Sequence, residues 1–295
     1  MPRSPFARRR AHPPRKLIVL SRFQTTPILK ARQDGSSIAV ISTDLGLNSV
    51  EVRLDPGGVS FATGERLAWA SVEEIQASET ACYYIEGNTP KAIRAFSEAT
   101  GRVYSLMPTE SAPTMLVSGF PMHRIKDTNP HLDTLSKIKA VAPIGGQVLD
   151  TTTGLGYTAI EAAKTAEHVT TVELDPVAQG IARLNPWSQA LFNNPKITQL
   201  IGDSFEEIEH FADETFSCII HDPPTFSLAG DLYSAEFYRQ SFRVLKRRGR
   251  MFHYIGDPES KSGSRVAKGV VRRLQEAGFT RVVSKPQAFG VAAYK

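Results

Sequence analysis

From Ile38 onward, apolar and polar residues alternate in short runs broken by turn signals: "SIAVIS", "NSVEVRL", the turn "DPGG", then "VSFA" and "RLAWA". A period of two over four to six residues predicts half-buried strands joined by tight turns. The stretch "TPKAIRAFSEATG" predicts a helix instead, with Thr89 as N-cap, Pro90 at the first helical position and Gly101 just past the end. "RVYSLMP" and "TMLVSG" read as two further strands. Residues 16–120 are therefore expected to form a small α+β domain, whose role the pattern does not disclose.

The segment "PMHRIKDTNPHLDTLSKIKAVAP" predicts a loop and a helix, after which the rhythm changes. Apolar runs now alternate with helical ones: "QVLD", "HVTTVE", "KITQLIG", "FSCIIHD", "GRMFHYIG", "TRVVSK" and "GVAAY". Strands alternating with helices require crossover connections and a parallel sheet. Only a few residues around Pro286 join the last two runs, too few for a crossover, so that pair is expected to be an antiparallel hairpin. Ser234 fits an N-cap for "SAEFYRQSFRVLK", and Gly278 a stop for "SRVAKGVVRRLQEAG". The fold class expected is α/β: a Rossmann-like seven-stranded sheet with a terminal hairpin over residues 121–295, preceded by the small α+β domain.

Composition narrows the partners. The 295 residues are 41% apolar and 22% charged, enough for a sizeable core, and no apolar run is long enough to span a membrane. Cys82 and Cys218 lie far apart in apolar runs, which reads as two buried thiols in a reducing, cytoplasmic setting. The net charge of +5 is unevenly placed, because residues 1–30 carry eight cations and no acid while the remainder is net −3. Residues 1–15 form a basic, proline-rich arm, expected to be disordered when free. It is open to three readings: a grip on nucleic-acid phosphates, a solvated tail, or a targeting peptide.

The chemistry gathers at strand ends. "VLDTTTGLGYTA" runs from a strand into a turn with Gly154 and Gly156, then into a helix whose first amides point into the crevice where open α/β sheets bind ligands. Gly154, Gly156 and Ala159 also satisfy the looser dinucleotide pattern G-x-G-x-x-A, a weak signal alone. The acids sharpen it. Glu173 ends the second strand, where a carboxylate can accept from a ribose diol. Asp203 ends the third, followed by Ser204, where it can receive an adenine amino group. Asp150 stands directly before the turn, where it would oppose a pyrophosphate but tolerate a zwitterion such as the methionine portion of S-adenosylmethionine. Asp150 and Asp203 also fit plain helix caps.

With "DTTTGLG", "VELD" and "IGDSF" in this order, the chain from about Met122 resembles the class I S-adenosylmethionine-dependent methyltransferases. Within them, "MHRIKD", "NPWS", "HDPPTFSLAGDLYS" and "RMFHYIG" are similar to a group of archaeal-type methyltransferases with a DPP motif. The resemblance implies S-adenosyl-L-methionine as cofactor, held by Asp150, Thr152, Gly154, Gly156, Glu173, Asp203 and Ser204. Thr152 stands where that superfamily normally has glycine.

"IIHDPPTF" follows the fourth strand, at the place expected for the transferred group. A planar amine conjugated to a ring is a weak nucleophile; a carboxylate and a proline carbonyl that accept its two hydrogens align its lone pair. Asp222 and Pro223 are expected in those roles, with Pro224 stiffening the loop. The resemblance implies an aromatic residue directly after the two prolines, as in N-methylating enzymes with Asp or Asn before them; Thr225 holds that slot here, so stacking falls to Phe226 or Tyr233. Asp-Pro-Pro is also an ordinary strand ending. His221 and His253 read as core histidines, and His123 as a loop residue within reach of the pocket. No histidine or cysteine spacing suggests a metal.

The basic stretch "YRQSFRVLKRRGR", from Tyr238 to Arg250, either faces a phosphate backbone or is a solvated face. With the extra N-terminal domain it favours RNA, ribosomal or transfer, as partner, and the resemblance suggests an exocyclic base amine such as cytidine N4. Two enzymatic rivals share the fold features: a small-molecule amine methyltransferase, and a spermidine-synthase-type aminopropyltransferase, which needs an acidic pocket for a polyamine. A non-catalytic RNA-binding protein is the third.

Overall fold

In the computed structural model, which describes residues 17–224, 229–257 and 261–295, the first half of the chain is built from short antiparallel strands. It holds β1 (Val19–Leu20), α1 (Arg22–Gln33), β2 (Ile38–Ile41), β3 (Val50–Asp55), β4 (Gly58–Ser60), β5 (Arg66–Ala68) and α2 (Trp69–Ala77). There follow β6 (Tyr83–Glu86), β7 (Thr89–Ala92), β8 (Arg94–Ser97), β9 (Arg102–Met107), β10 (Thr114–Val117) and β11 (Phe120–Pro121). They make three small sheets, ordered β1-β6-β7, β2-β3-β4-β5 and β11-β10-β9-β8. Helix α1, which the alternation did not reveal, opens on a capping box in which Ser21 and Gln24 serve each other's backbone.

The helix expected from Thr89 is not formed; the residues are β7 and β8. Gly87 and Asn88 both take positive φ, 56° and 68°, which is the two-residue hairpin turn matched to strand twist. It sets Glu86 opposite Thr89 and returns the chain along β6. Pro90 is tolerated because β7 is an edge strand.

The second half follows with α3 (Pro130–Ala140), β12 (Gln147–Asp150), α4 (Tyr157–Ala163), β13 (His168–Glu173), α5 (Pro176–Leu184), α6 (Gln189–Asn193), β14 (Ile197–Ile201) and α7 (Ser204–Glu207). It ends with β15 (Phe216–His221), α8 (Ala235–Val244), β16 (Leu245–Tyr254), α9 (Lys261–Glu276), β17 (Arg281–Lys285) and β18 (Gly290–Tyr294). The sheet order is β14-β13-β12-β15-β16-β18-β17, parallel through the first five strands and antiparallel at the last two. This is the α/β sheet with a terminal hairpin that the sequence pattern predicts. Asparagine 129 caps α3 through Leu132 N–H, and Ser234 caps α8 through Phe237 N–H.

The two halves share a core. Tyr104, Met115 and Val117 of β9 and β10 pack in one apolar cluster with Leu155, Tyr157 and Ala159 of the α4 region. Polar ties cross the same boundary: the Tyr157 hydroxyl donates to Pro113 O at 2.9 Å and receives Asn185 Nδ2 at 2.9 Å. Trp187 Nε1 donates to Leu45 O at 3.0 Å, and Thr100 Oγ1 to Asp175 Oδ2 at 2.7 Å.

Tyr157→Phe keeps the ring but, in a buried setting, leaves the Pro113 carbonyl and one of the two Asn185 amide hydrogens unpaired, the other still reaching Ser188, at a cost of about 1–3 kcal/mol. Urea unfolding followed by fluorescence is expected to show one cooperative transition at a lower midpoint; an unchanged midpoint would contradict a shared, hydrogen-bonded boundary.

Candidate active site

A cavity of about 330 Å³ opens where β12, β13, β14 and β15 end. Its floor is the loop after β12, and its roof comes from the N-terminal half, through Arg102, Tyr104, Met115, Val117 and Met122. The loop is fixed at both sides. Thr151 N–H donates to Ile220 O at 3.0 Å and Thr153 N–H to Val172 O at 2.8 Å, extending the strand pairing beyond β12. Gly154 and Gly156 have φ of 52° and 77°. A Cβ on Gly156 would lie 2.6 Å from Leu191, so both space and backbone demand glycine there.

Of the expected cofactor residues, Thr152, Gly154, Glu173, Asp203 and Ser204 line the cavity. Gly156 lies just behind, as the residue before α4. Glu173 is held from two sides: Gly154 N–H donates to Oε2 at 2.8 Å and Asp175 N–H to Oε1 at 3.1 Å. Burial pushes its carboxyl up, against the pull of those amides. Asp203 lines the cavity and also caps α7 through Phe205 N–H at 2.8 Å. Ser204 Oγ donates to Thr151 O.

Asp150 is placed otherwise than the cofactor reading requires. It is wholly buried beneath the loop, accepting from Thr171 Oγ1 at 2.8 Å and Thr158 Oγ1 at 3.2 Å. In the parallel register it stands opposite Thr171, so it shares the sheet face that α4 covers. Burial pushes its carboxyl up to about 7, the two threonine hydroxyls opposing the shift.

At the end of β15, Asp222, Pro223 and Pro224 line the cavity; Phe226 and Thr225 lie outside the described residues. Thr152 Oγ1 donates to Asp222 O at 2.8 Å, which gives the unusual threonine a task glycine could not perform. Asp222 Oδ2 receives Lys137 Nζ at 2.6 Å. Lys137, with 2% exposure, also meets Asp133 Oδ2 at 2.8 Å, and Arg124 Nε reaches Asp133 Oδ1 at 2.5 Å. Burial alone would lower the Lys137 ammonium, but the Asp222 and Asp133 carboxylates outweigh it and hold it above its ordinary value. Burial raises Asp222 and Lys137 opposes the rise.

Tyr233 is support and does not stack a ligand: it is 2% exposed and its hydroxyl donates to Pro224 O at 3.0 Å. The aromatic ring beside Asp222 is Tyr254, which the register places on the neighbouring strand and which lines the cavity. His221 is a buried anchor. Its Nε2 lies 2.9 Å from Leu232 O, a pure acceptor, so Nδ1 accepts from Thr151 Oγ1 at 2.7 Å; burial pushes it down to about 3. His253 is likewise buried, beside Tyr238 at 2.8 Å. His123 does line the cavity, and burial pushes it down to about 3 as well.

The basic stretch does not reach the cavity. Arg239 pairs with Glu236, and Arg243 with Asp213 and the carbonyls of Phe211 and Ile208. Lys246, Arg247 and Arg248 are exposed, but at the start of β16, whose other end is Tyr254. Residues 1–15, the basic arm, lie outside the described residues. Among the described residues no cluster suits a metal ion, and no helix is long and apolar enough to cross a membrane. Cys82 and Cys218 are free and buried.

No family model matches the chain. Over 194 residues, 65% of this chain and 67% of the other, it is 49% identical to the uncharacterized protein MJ1233 of Methanocaldococcus jannaschii. Over 87 residues, 28% of this chain and 29% of the other, it is 34% identical to a polyamine aminopropyltransferase of Sulfurisphaera tokodaii. A spermidine synthase in complex with the transition state analogue AdoDATO superposes with a TM-score of 0.57 over 70% of this chain and 76% of its own, at 19% identity. The spermidine synthase of Thermotoga maritima gives 0.54 over 70% and 75%, also at 19%. At that identity the likeness shows the fold alone, the Rossmann-like fold of S-adenosylmethionine-dependent transferases.

The buried Asp150 carries a pH signature. With the folded pKa raised from 3.8 to about 7, the native state keeps a proton that the unfolded chain releases, so this group's contribution falls as pH rises between those values and is constant above. Asp150→Asn removes that slope. Urea midpoints at pH 4.5 and 7.5 are expected to drop less with pH in the variant than in the native protein; parallel changes would show that Asp150 does not titrate in that window.

Proposed function

The chain belongs to the family of the uncharacterized protein MJ1233 of Methanocaldococcus jannaschii, whose name specifies no reaction, and we propose from the site itself that it is an S-adenosylmethionine-dependent N-methyltransferase for a planar exocyclic amine. The observation that carries this is the junction of the cavity's two halves: Thr152, in the cofactor loop, donates its hydroxyl to the backbone carbonyl of Asp222, in the acceptor loop. One cavity thus presents Glu173 and Asp203 to an adenosyl group and Asp222 with the Pro223 carbonyl to an amine.

The residues fit the cofactor class. Glu173, with each oxygen already receiving one amide, keeps a lone pair on each for a ribose diol, and Asp203 can receive an adenine amino group. Bound there, S-adenosylmethionine would supply an electrophilic methyl group on a sulfonium. The chain's own contribution is positional. Asp222 Oδ1 and the Pro223 carbonyl accept the two amine hydrogens and turn the lone pair toward the cofactor side, while Lys137 fixes the carboxylate through Oδ2. Residues of β9 and β10 line the cavity from the side facing the loop after β12.

A second reading, aminopropyl transfer from decarboxylated S-adenosylmethionine, is favoured by the fold shared with spermidine synthases over 70% of the chain. The 34% identity to the Sulfurisphaera tokodaii enzyme points the same way. The two readings differ in the spent cofactor: S-adenosylhomocysteine from methyl transfer, methylthioadenosine from aminopropyl transfer. Mass spectrometry of the nucleoside released from the purified protein, given either cofactor with an RNA fraction or with a diamine, separates them. Methylthioadenosine formation with diamine would sink the methyl reading. An RNA-base acceptor is tested by nucleoside analysis of ribosomal and transfer RNA from a deletion strain, where loss of one N-methylated base is expected.

Within the methyl reading, Asp222→Ala, which removes the accepting oxygen that asparagine would keep, is expected to lower kcat by about a hundredfold while cofactor affinity stays near native. Thr152→Val should lower kcat by about tenfold through the freed Asp222 carbonyl, again at little cost in cofactor affinity. Calorimetric cofactor titration beside turnover checks both, and a loss confined to cofactor binding would contradict the division of roles.

A further inference from the structure

Resting on the amine-site reading above, we infer that Lys137 determines specificity: it is a built-in ammonium that fills the cation position at Asp222 and confines the acceptor to an uncharged amine. Lys137 comes from the buried face of α3, one turn beyond Asp133. Its Nζ lies 2.6 Å from Asp222 Oδ2 and 2.8 Å from Asp133 Oδ2, with the Tyr254 ring centroid 4.8 Å away. Arg124 closes the chain on Asp133 at 2.5 Å and is itself fixed by Gln287 O at 2.8 Å. Two cations alternate with two carboxylates, so this wall of the cavity is neutral.

The consequence depends on the charge of the incoming nitrogen. A neutral planar amine meets Asp222 Oδ1 as a strong hydrogen-bond acceptor, held in place from behind. An alkylammonium meets the same oxygen with Lys137 a few ångströms beyond it, so attraction to the carboxylate is offset by repulsion from the ammonium. Lys137 has no room to withdraw, being 2% exposed and held by both carboxylates. The other acids do not replace Asp222. Glu173 and Asp203 stand on the cofactor side and already receive backbone amides, and Asp231 is exposed to water at the rim.

The test is calorimetric binding of 1,4-diaminobutane and of cytidine to the full-length protein. The native protein and Lys137→Arg should bind the diamine more weakly than cytidine. Lys137→Met should bind the diamine about tenfold or more tightly than the native protein, the change that removing a like charge within 4–6 Å produces. Because Lys137→Met leaves two buried carboxylates beside one arginine, the pair Lys137→Met with Asp133→Asn restores neutrality and is expected to show the same gain in a folded protein, checked by thermal melting. The proposal is overturned if the native protein binds the diamine more tightly than cytidine, or if folded methionine variants gain no affinity for it. Exclusion of diamine without any methyl transfer would sink the N-methyltransferase reading and leave the role of Lys137 standing.

Discussion

The cavity depends on the parallel register that sets the end of β12 level with the ends of its two neighbours. Asp150 stands opposite Thr171 on one side and Ile220 on the other, so the chain leaves β12 at the height where Glu173 and Asp222 emerge. The hydrogen bonds of Thr151 and Thr153 continue both pairings past the strand, carrying the glycine turn between the two acids. Slipping one residue would turn every strand-end side chain to the opposite face of the sheet. The loop after β12 and the end of β15 are therefore one hydrogen-bonded unit, stitched by the hydroxyls of Thr151 and Thr152 to His221 and the Asp222 carbonyl.

Much of this was legible from local pattern. The seven-strand rhythm, the closing hairpin and the placement of Glu173, Asp203 and Asp222 at strand ends all follow from periodicity and turn chemistry, which are near-neighbour properties. What escaped depended on contacts distant in sequence. Thr89 to Gly101 carries good helix punctuation, yet the Gly87–Asn88 turn and pairing with β6 prevail. Asp150 looks like a ligand acid, but which side of the sheet it joins is set by Thr171 and by α4 lying over it. Asp133 and Lys137 stand one helical turn apart, a spacing common on exposed helix faces, and nothing local indicates that this face of α3 is buried. The roof residues of β9 and β10 carry no motif at all.

Charge is distributed in a way that composition obscured. The basic stretch around Lys246 lies at the start of β16, beside Phe216 in the register, six residues of strand and so roughly 20 Å from Asp222 at the cavity end. Beside Asp222 the cations Lys137 and Arg124 are instead each paired with a carboxylate. Net charge describes the whole chain; the cavity is governed by a few fixed pairs.

Glu173 is a carboxylate whose orientation is settled before any ligand arrives. The Gly154 and Asp175 amides each hold one of its oxygens, and the turn that presents Gly154 is itself pinned at Thr151 and Thr153. A flexible acid in the same place would lose rotamer freedom when it bound a pair of hydroxyls, and that loss would be subtracted from affinity. Here the ordering cost falls on folding, where the whole sheet shares it, and the site meets its ligand with that side chain already stilled.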